Sequence, residues 1–306
     1  MHTPDRQETR WTGHDDDARL ALKLQTWVPP AVLVVAWLAT GTGGMSAFFS
    51  RVFLGMWIHE LGHAVTAWWC GFFAFPGPWK TIVSDERSFA MRLFMVALLG
   101  GALYIVARAK HRPLTVALSV LLGLHLLGAY LISSTTAQMA FSFGGDAGNL
   151  VFGPLLMLTF HLPREHAIKR RWLHWGFVVI GAFAFCDVAN QWWRAAGDVA
   201  EIPFGRIDGV GYSDASKLVE QFGWSEAALV RRYNVLAAIG LVVFVVGHVL
   251  GVRRARQALA DVDGDSPPPP SGRAGSFTTT MTAPPPPAPP VSSEPPPRRR
   301  REPIDL

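Results

Sequence analysis

Long stretches of the chain carry almost no charge, and this feature constrains the fold most. Residues 28–73 contain two charged side chains, residues 113–163 contain one, and residues 233–252 contain none. A membrane-spanning helix needs about 20 mostly apolar residues, so these runs indicate several spans. Only 17% of the whole chain is charged, against about a quarter in soluble proteins. The sequence therefore predicts an all-α, polytopic transmembrane helix bundle. It excludes a secreted disulfide scaffold, a soluble Rossmann enzyme and a wholly disordered protein.

Seven segments are candidate spans, which gives an expected six to seven crossings. They cover roughly residues 28–49, 52–73, 89–107, 114–132, 147–161, 172–193 and 233–252. Gly41, Gly43 and Gly44 interrupt the first segment, which is therefore expected to be broken or re-entrant. The fifth segment is short for a full crossing, as a helix that starts inside the bilayer would be.

Three regions follow from the changes in composition along the chain. Residues 1–26 form a polar N-terminal segment, and residues 27–261 form the transmembrane domain, with residues 194–231 as an extramembrane connection. Residues 262–306 form a Pro-rich tail. Of the 23 prolines, 14 lie in the last 41 residues, and such a composition buries no core. We therefore expect the tail to be disordered, and it could bind a partner protein through its proline-rich stretches.

The positive charge lies mainly at the ends of the apolar segments. The net charge is +5, and basic clusters occur at residues 108–112, 169–171 and 253–256. Positive loops of this kind are retained on the cytoplasmic side of a bilayer. The pattern predicts a multi-pass protein of the plasma membrane with a cytoplasmic C-terminal tail, and it leaves the side of the N-terminus open. The orientation of the chain in the lipid bilayer explains where these basic residues lie, and no nucleic-acid partner is needed to explain them.

The second candidate span contains an H-E-x-x-H motif, His59-Glu60-Leu61-Gly62-His63. In a helix, residues four apart point in nearly the same direction, so both imidazoles can bind one Zn²⁺ ion. Glu60 lies beside them and can act as the base for a water molecule at the metal. A carboxylate inside an apolar helix is otherwise costly. Two alternatives stay open: the histidines bond to neighbouring carbonyls in the core, or the site is degenerate and holds metal only for structure.

A catalytic zinc site also needs a third protein ligand and an open position. Asp146 is the best candidate, because it is the single charge of residues 113–163 and opens a new apolar helix among glycines. The same carboxylate could also cap that helix by accepting hydrogen bonds from its first free N–H groups. Asp146 could act as a cap and as a zinc ligand at the same time. Asp187, inside the sixth candidate span, and Asp208, in the extramembrane connection, are the competing acids. For Asp187 we favour a supporting contact to a ligand or a polar contact between helices.

The motif and its setting resemble the site-2 protease group of intramembrane zinc metallopeptidases. The resemblance rests on His-Glu-Leu-Gly-His followed by Ala64 within a membrane helix. That family carries a later Asp-Gly element, which opens another membrane helix and supplies the third ligand. Here the corresponding sequence at Asp146 is Asp-Ala-Gly. The resemblance implies that His59 and His63 bind zinc, that Glu60 is the catalytic base, and that an aspartate completes the site.

These features together predict the function and the partners of the chain. We expect an integral-membrane zinc metallopeptidase that cleaves membrane-embedded or membrane-proximal polypeptide segments by means of a zinc-activated water. Its substrate would be a membrane protein or peptide, locally unwound because a helix shields its own carbonyls. The alternative is a membrane protein without catalysis that binds metal or serves as a scaffold. A Glu60 variant that still binds metal distinguishes the two. Loss of function in that variant indicates an enzyme, and unchanged function indicates a protein without catalysis.

Overall fold

Helices dominate the protein in a computed structural model, which describes residues 13–207 and 211–264. The α-helices are α1 (Gly13–Gly41), α2 (Gly44–Phe49), α3 (Met56–Trp69), α4 (Phe89–Arg108), α5 (Arg112–Leu126), α6 (Ser134–Leu158), α7 (Ala167–Arg170), α8 (Leu173–Ala195), α9 (Asp214–Ser216) and α10 (Glu226–Gly264). Two small antiparallel sheets pair β1 (Phe72–Pro76) with β2 (Thr81–Arg87) and β3 (Arg206–Ile207) with β4 (Gly211–Tyr212). The predicted mainly helical bundle is confirmed.

Five helical segments in the described part of the chain are long and apolar enough to cross a membrane. They are Asp17–Gly41, Phe89–Arg108, Arg112–Leu131, Leu173–Ala195 and Glu226–Ala260. These segments indicate a multi-pass membrane protein, and their number is compatible with the predicted bundle. The predicted second and fifth spans correspond to α3 and α6, which are not among the five. α3 is only 14 residues long, although α2 and a π-helical segment, Ser50–Gly55, precede it without a break.

The first candidate span is broken, as its glycines predict. α1 ends at Gly41 and α2 begins at Gly44. The φ angles of Gly43 and Gly44 are 68° and 66°, which is the left-handed region that side-chain-bearing residues rarely adopt. The chain therefore changes direction here at little steric cost.

Asp146 does not open a helix, which corrects the prediction from its sequence context. α6 begins at Ser134, with the Ser133 hydroxyl accepting a hydrogen bond from the backbone N–H of Thr136 as its cap. The helix then runs without interruption through the glycines around Asp146. These glycines allow close packing rather than a helix start, so the carboxylate lies in the middle of α6 and has no role as a cap.

The close packing of α6 against α3 determines where the motif lies. A Cβ atom added to Gly148 would lie 2.6 Å from the Cα atom of Gly62, and one added to Gly62 would overlap the carbonyl oxygen of Gly144. Only glycines permit the two backbones to approach so closely. α6 also packs against α8 and α10, so the helix facing the H-E-x-x-H motif is central to the fold.

The hairpin of β1 and β2 was not predicted from the sequence. The second candidate span was expected to extend to Phe73, but α3 ends at Trp69 and Gly71 turns the chain with a φ angle of 80°. β1 and β2 then pair with Pro76 opposite Thr81. This register brings Thr81, the first residue of β2, next to α3.

Candidate metal centre

The two histidines of the motif converge on one point. His59 and His63 lie one turn apart on α3, and their Nε2 atoms are 3.1 Å apart. Their rings are nearly perpendicular, with centroids 4.7 Å apart. The predicted i, i+4 geometry of the motif is therefore present in the structure.

Asp214, the first residue of α9, completes the cluster. Its Oδ2 atom lies 3.0 Å from Nε2 of His63 and 3.3 Å from Nε2 of His59. The three atoms form a triangle, and a point just off its plane lies roughly 2 Å from each of them. That distance is the usual length of Zn–N and Zn–O bonds. Among the described residues, these three form the one group of three or more potential ligands with metal-binding spacing.

Asp146 does not take the position that its sequence context predicted. Its Oδ1 atom lies 3.1 Å from Nδ1 of His59, and its Oδ2 atom accepts a hydrogen bond of 2.8 Å from Nε1 of Trp192. Nδ1 is on the opposite side of the imidazole from the nitrogen that faces Asp214. The carboxylate therefore contacts the far side of the ring, and Asp214 rather than Asp146 supplies the third atom of the cluster with metal-binding spacing.

His63 is held in the same manner by the backbone of α6. Its Nδ1 atom lies 2.6 Å from the carbonyl oxygen of Phe141. A carbonyl oxygen only accepts hydrogen bonds, so Nδ1 carries the proton and Nε2 keeps its lone pair for a metal. Metal-ligating histidines usually donate their second N–H to a carboxylate or carbonyl, as both histidines can do here.

Glu60 is buried beside the cluster and is held by the hairpin. Its side chain is 5% exposed, and Thr81 Oγ1 lies 2.7 Å from Oε2 and 2.8 Å from the backbone oxygen of the same residue. Glu60, His59, His63 and Asp214 all line one cavity of about 500 Å³. A molecule in that cavity would therefore have access to both the histidine–Asp214 cluster and the carboxylate.

The local structure of Asp214 explains how a residue outside the spans reaches the histidines. The Ser213 hydroxyl accepts a hydrogen bond from the backbone N–H of Ser216, which starts the short helix. Lys217 Nζ lies 3.4 Å from Oδ1 of Asp214, so Oδ2 remains directed at the histidines. Burial opposes ionisation of this carboxyl group, but the two imidazoles that face it outweigh this effect and lower its pKa.

Sequence reasoning did not select Asp214, although it placed the start of a helical piece at Ser213. The available signal was an acidic residue in the first turn of a helix after a glycine-rich turn. Its proximity to α3 depends on the path of residues 196–213, which no local pattern fixes. The other competing acids lie elsewhere: Asp187 pairs with Arg51 at 2.8 Å, and Asp208 lies outside the described residues.

No protein-family model, curated protein or solved structure matches the chain. The set of donor atoms is therefore what points to a metal at this centre. Two imidazole nitrogens and one carboxylate oxygen suit Zn²⁺, and three protein ligands leave a coordination position for water or substrate. The cavity beside the cluster provides the space for it.

Proposed function

We propose that the chain is an integral-membrane zinc metallopeptidase, with His59, His63 and Asp214 as the zinc ligands. The observation that carries this proposal is the triangle of Nε2, Nε2 and Oδ2 atoms, 3.0–3.3 Å apart, beside the buried carboxylate of Glu60. A structural zinc site usually has four protein ligands, whereas three ligands and an adjoining cavity favour catalysis.

The residues of the chain divide the chemistry between them. Zinc, when bound, supplies a Lewis acid that activates water and polarises a peptide carbonyl. Glu60 removes a proton from the attacking water and delivers it to the departing amine nitrogen. Asp146 and the Phe141 carbonyl keep the two imidazoles oriented, and Thr81 keeps the Glu60 carboxylate in position.

The substrate that suits this site is a polypeptide segment in or close to the membrane. The cavity adjoins α3 on one side and the extramembrane residues 211–222 on the other. A peptide bond must be unwound to enter it, because helical backbone shields its carbonyl groups. We further propose a location in the plasma membrane with a cytoplasmic C-terminal tail, supported by the basic clusters at the helix ends.

The likeness to site-2 proteases supports this proposal through α3 alone. In that family the third ligand opens a membrane helix, whereas Asp214 lies in the connection between α8 and α10. The histidine pair and the glutamate resemble the family, while the source of the third ligand differs from it.

Glu60→Gln tests the proposal directly. The purified wild type should hold about one zinc per chain by elemental analysis, and the variant should hold the same amount, since Glu60 is no ligand. Membranes from cells that express the wild type should contain new protein N-termini by mass spectrometry, and membranes with Glu60→Gln should lack them. Identical N-termini in both samples would refute the peptidase and favour a metal-binding protein without catalysis.

A further inference from the structure

We propose that the side-chain amide of Asn149 donates a hydrogen bond to the oxygen of the scissile carbonyl as that oxygen gains negative charge. This inference rests on the proposed function. It adds a catalytic residue that no sequence motif indicated.

Asn149 is a buried amide without a partner in the described part of the protein. It is 3% exposed and lines the cavity that contains the metal centre. Its Oδ1 atom is fully covered and has no hydrogen-bond partner, so Nδ2 is the end left to face the cavity. No described residue accepts a hydrogen bond from Nδ2. Its N–H groups are therefore the part of this amide that can donate to a ligand in the cavity.

Asn190 is a second buried amide, and its Nδ2 group does have hydrogen-bond partners within the protein. It is 6% exposed on α8, and its Nδ2 atom donates to the Trp37 carbonyl oxygen at 3.0 Å and to Thr40 Oγ1 at 2.8 Å. Asn190 does not line the cavity. The two asparagines therefore differ in what their amides contact. The Asn190 amide donates to other residues of the protein, whereas the Asn149 amide faces the cavity.

The helical geometry of α6 directs Asn149 towards the metal centre. Asn149 follows Gly145 by four residues, so both lie on one face of the helix. A Cβ atom on Gly145 would lie 2.6 Å from Nε2 of both His59 and His63, which locates this face against the ligands. Helical side chains lean towards the N-terminus, over the preceding turn. The amide of Asn149 thus leans over the turn that carries Gly145, on the face of α6 that lies against the two histidine rings.

The hydrogen bond acts at one identifiable step. The water oxygen forms a bond to the carbonyl carbon while Glu60 takes a water proton, and the π electrons of the C=O bond move onto its oxygen. The Nδ2–H group of Asn149 stabilises that negative charge. When the C=O bond re-forms, the C–N bond breaks and the amine nitrogen takes the proton from Glu60. A donor placed at such an oxygen contributes about 10²–10³ to kcat.

The test compares Asn149→Ala with Asn190→Ala in the zinc-loaded, full-length protein. The substrate is a peptide with the sequence of a cleavage site that the comparison of the wild type with Glu60→Gln identifies. Asn149→Ala should lower kcat for this peptide by about 10²–10³. Its zinc content and melting temperature should stay at the wild-type values, because the side chain bonds to no other described residue. Asn190→Ala should do the reverse and lower the melting temperature without changing kcat.

Acetohydroxamate, a zinc-binding compound with a carbonyl oxygen, gives a second readout without turnover. Asn149→Ala should weaken its binding about tenfold, as expected for one charge-assisted hydrogen bond, and Asn190→Ala should not. Equal binding by the wild type and Asn149→Ala, or a loss of thermal stability as large as that of Asn190→Ala, would overturn the role of Asn149. A zinc-free wild type would overturn the proposed function instead, and elemental analysis reveals that before acetohydroxamate is added.

Discussion

Asp146 Oδ1 lies 3.1 Å from Nδ1 of His59, behind the ring whose other nitrogen faces His63 and Asp214. The contact fixes the orientation of the ring and, with the carboxylate ionised, makes the imidazole a stronger metal ligand. Trp192 holds the second oxygen of the same carboxylate at 2.8 Å. This isolated acid in an apolar helix thus contacts a proposed ligand from the side that faces away from the cluster.

Asp214→Ala should weaken zinc binding far more than Asp146→Ala. The first variant removes a ligand, while the second removes a supporting contact that is typically worth 10–100-fold in metal affinity. Competition with a chromogenic chelator measures both zinc dissociation constants. The reverse order of affinities would restore Asp146 as the third ligand.

Gly145→Ala should abolish zinc binding although alanine favours helix. The added methyl group would lie 2.5 Å from Cε1 of His59 and 2.6 Å from Nε2 of both histidines, so the rings must move apart. Gly100→Ala on α4 is the matched control, because a Cβ atom there meets nothing within 4 Å in the described part of the chain. The control should keep its zinc and gain up to about 1 kcal/mol in stability from helix propensity. Full zinc content in Gly145→Ala would contradict the close approach of α6 to the ligands.

Thr81→Val should reduce kcat about tenfold and leave zinc content unchanged. The substitution keeps the shape of the side chain but removes the hydroxyl that holds the Glu60 carboxylate at 2.7 Å. A hydrogen bond to a charged group is worth about 1.5–3 kcal/mol, and each 1.4 kcal/mol on a barrier is tenfold in rate. Thr66→Val is the control, because the Thr66 hydroxyl donates to the Gly62 backbone oxygen within α3. Equal kcat values for the two variants would remove Thr81 from the mechanism.

Arg51→Met should destabilise the protein by about 3 kcal/mol without loss of zinc. Asp187 is 5% exposed in α8, and its carboxylate would lose the guanidinium that lies 2.8 Å away. Breaking a buried pair from one side typically costs about 3–5 kcal/mol, and the 42% exposure of the Arg51 side chain favours the lower end. The double variant Arg51→Met/Asp187→Leu should recover most of the melting temperature. A single variant as stable as the wild type would show that the pair contributes nothing.

The parts of the structure that the sequence predicted are those with a periodic signal. Apolar runs predicted the helices, the glycines at 41–44 predicted the break after α1, and the i, i+4 histidines predicted two converging rings. Asp214 could not be found in this way, because its contact with His63 depends on a connection that follows no period. Asp146 was preferred to Asp214 for a related reason: isolation in apolar sequence indicates that an acid has a partner, but it does not identify which side of a histidine ring the acid will contact.

The separation of the ligands along the chain has a consequence for biosynthesis. About 150 residues and the whole of α8 lie between His63 and Asp214. Chains are made from the N-terminus, so the histidine pair is made long before Asp214, the proposed third ligand. An unfinished chain can offer a metal only two of its three ligands. For the proposed peptidase, this order of synthesis would keep the nascent chain inactive until α8 and Asp214 have been made. It would thereby protect both the nascent chain and its neighbours in the membrane from premature cleavage.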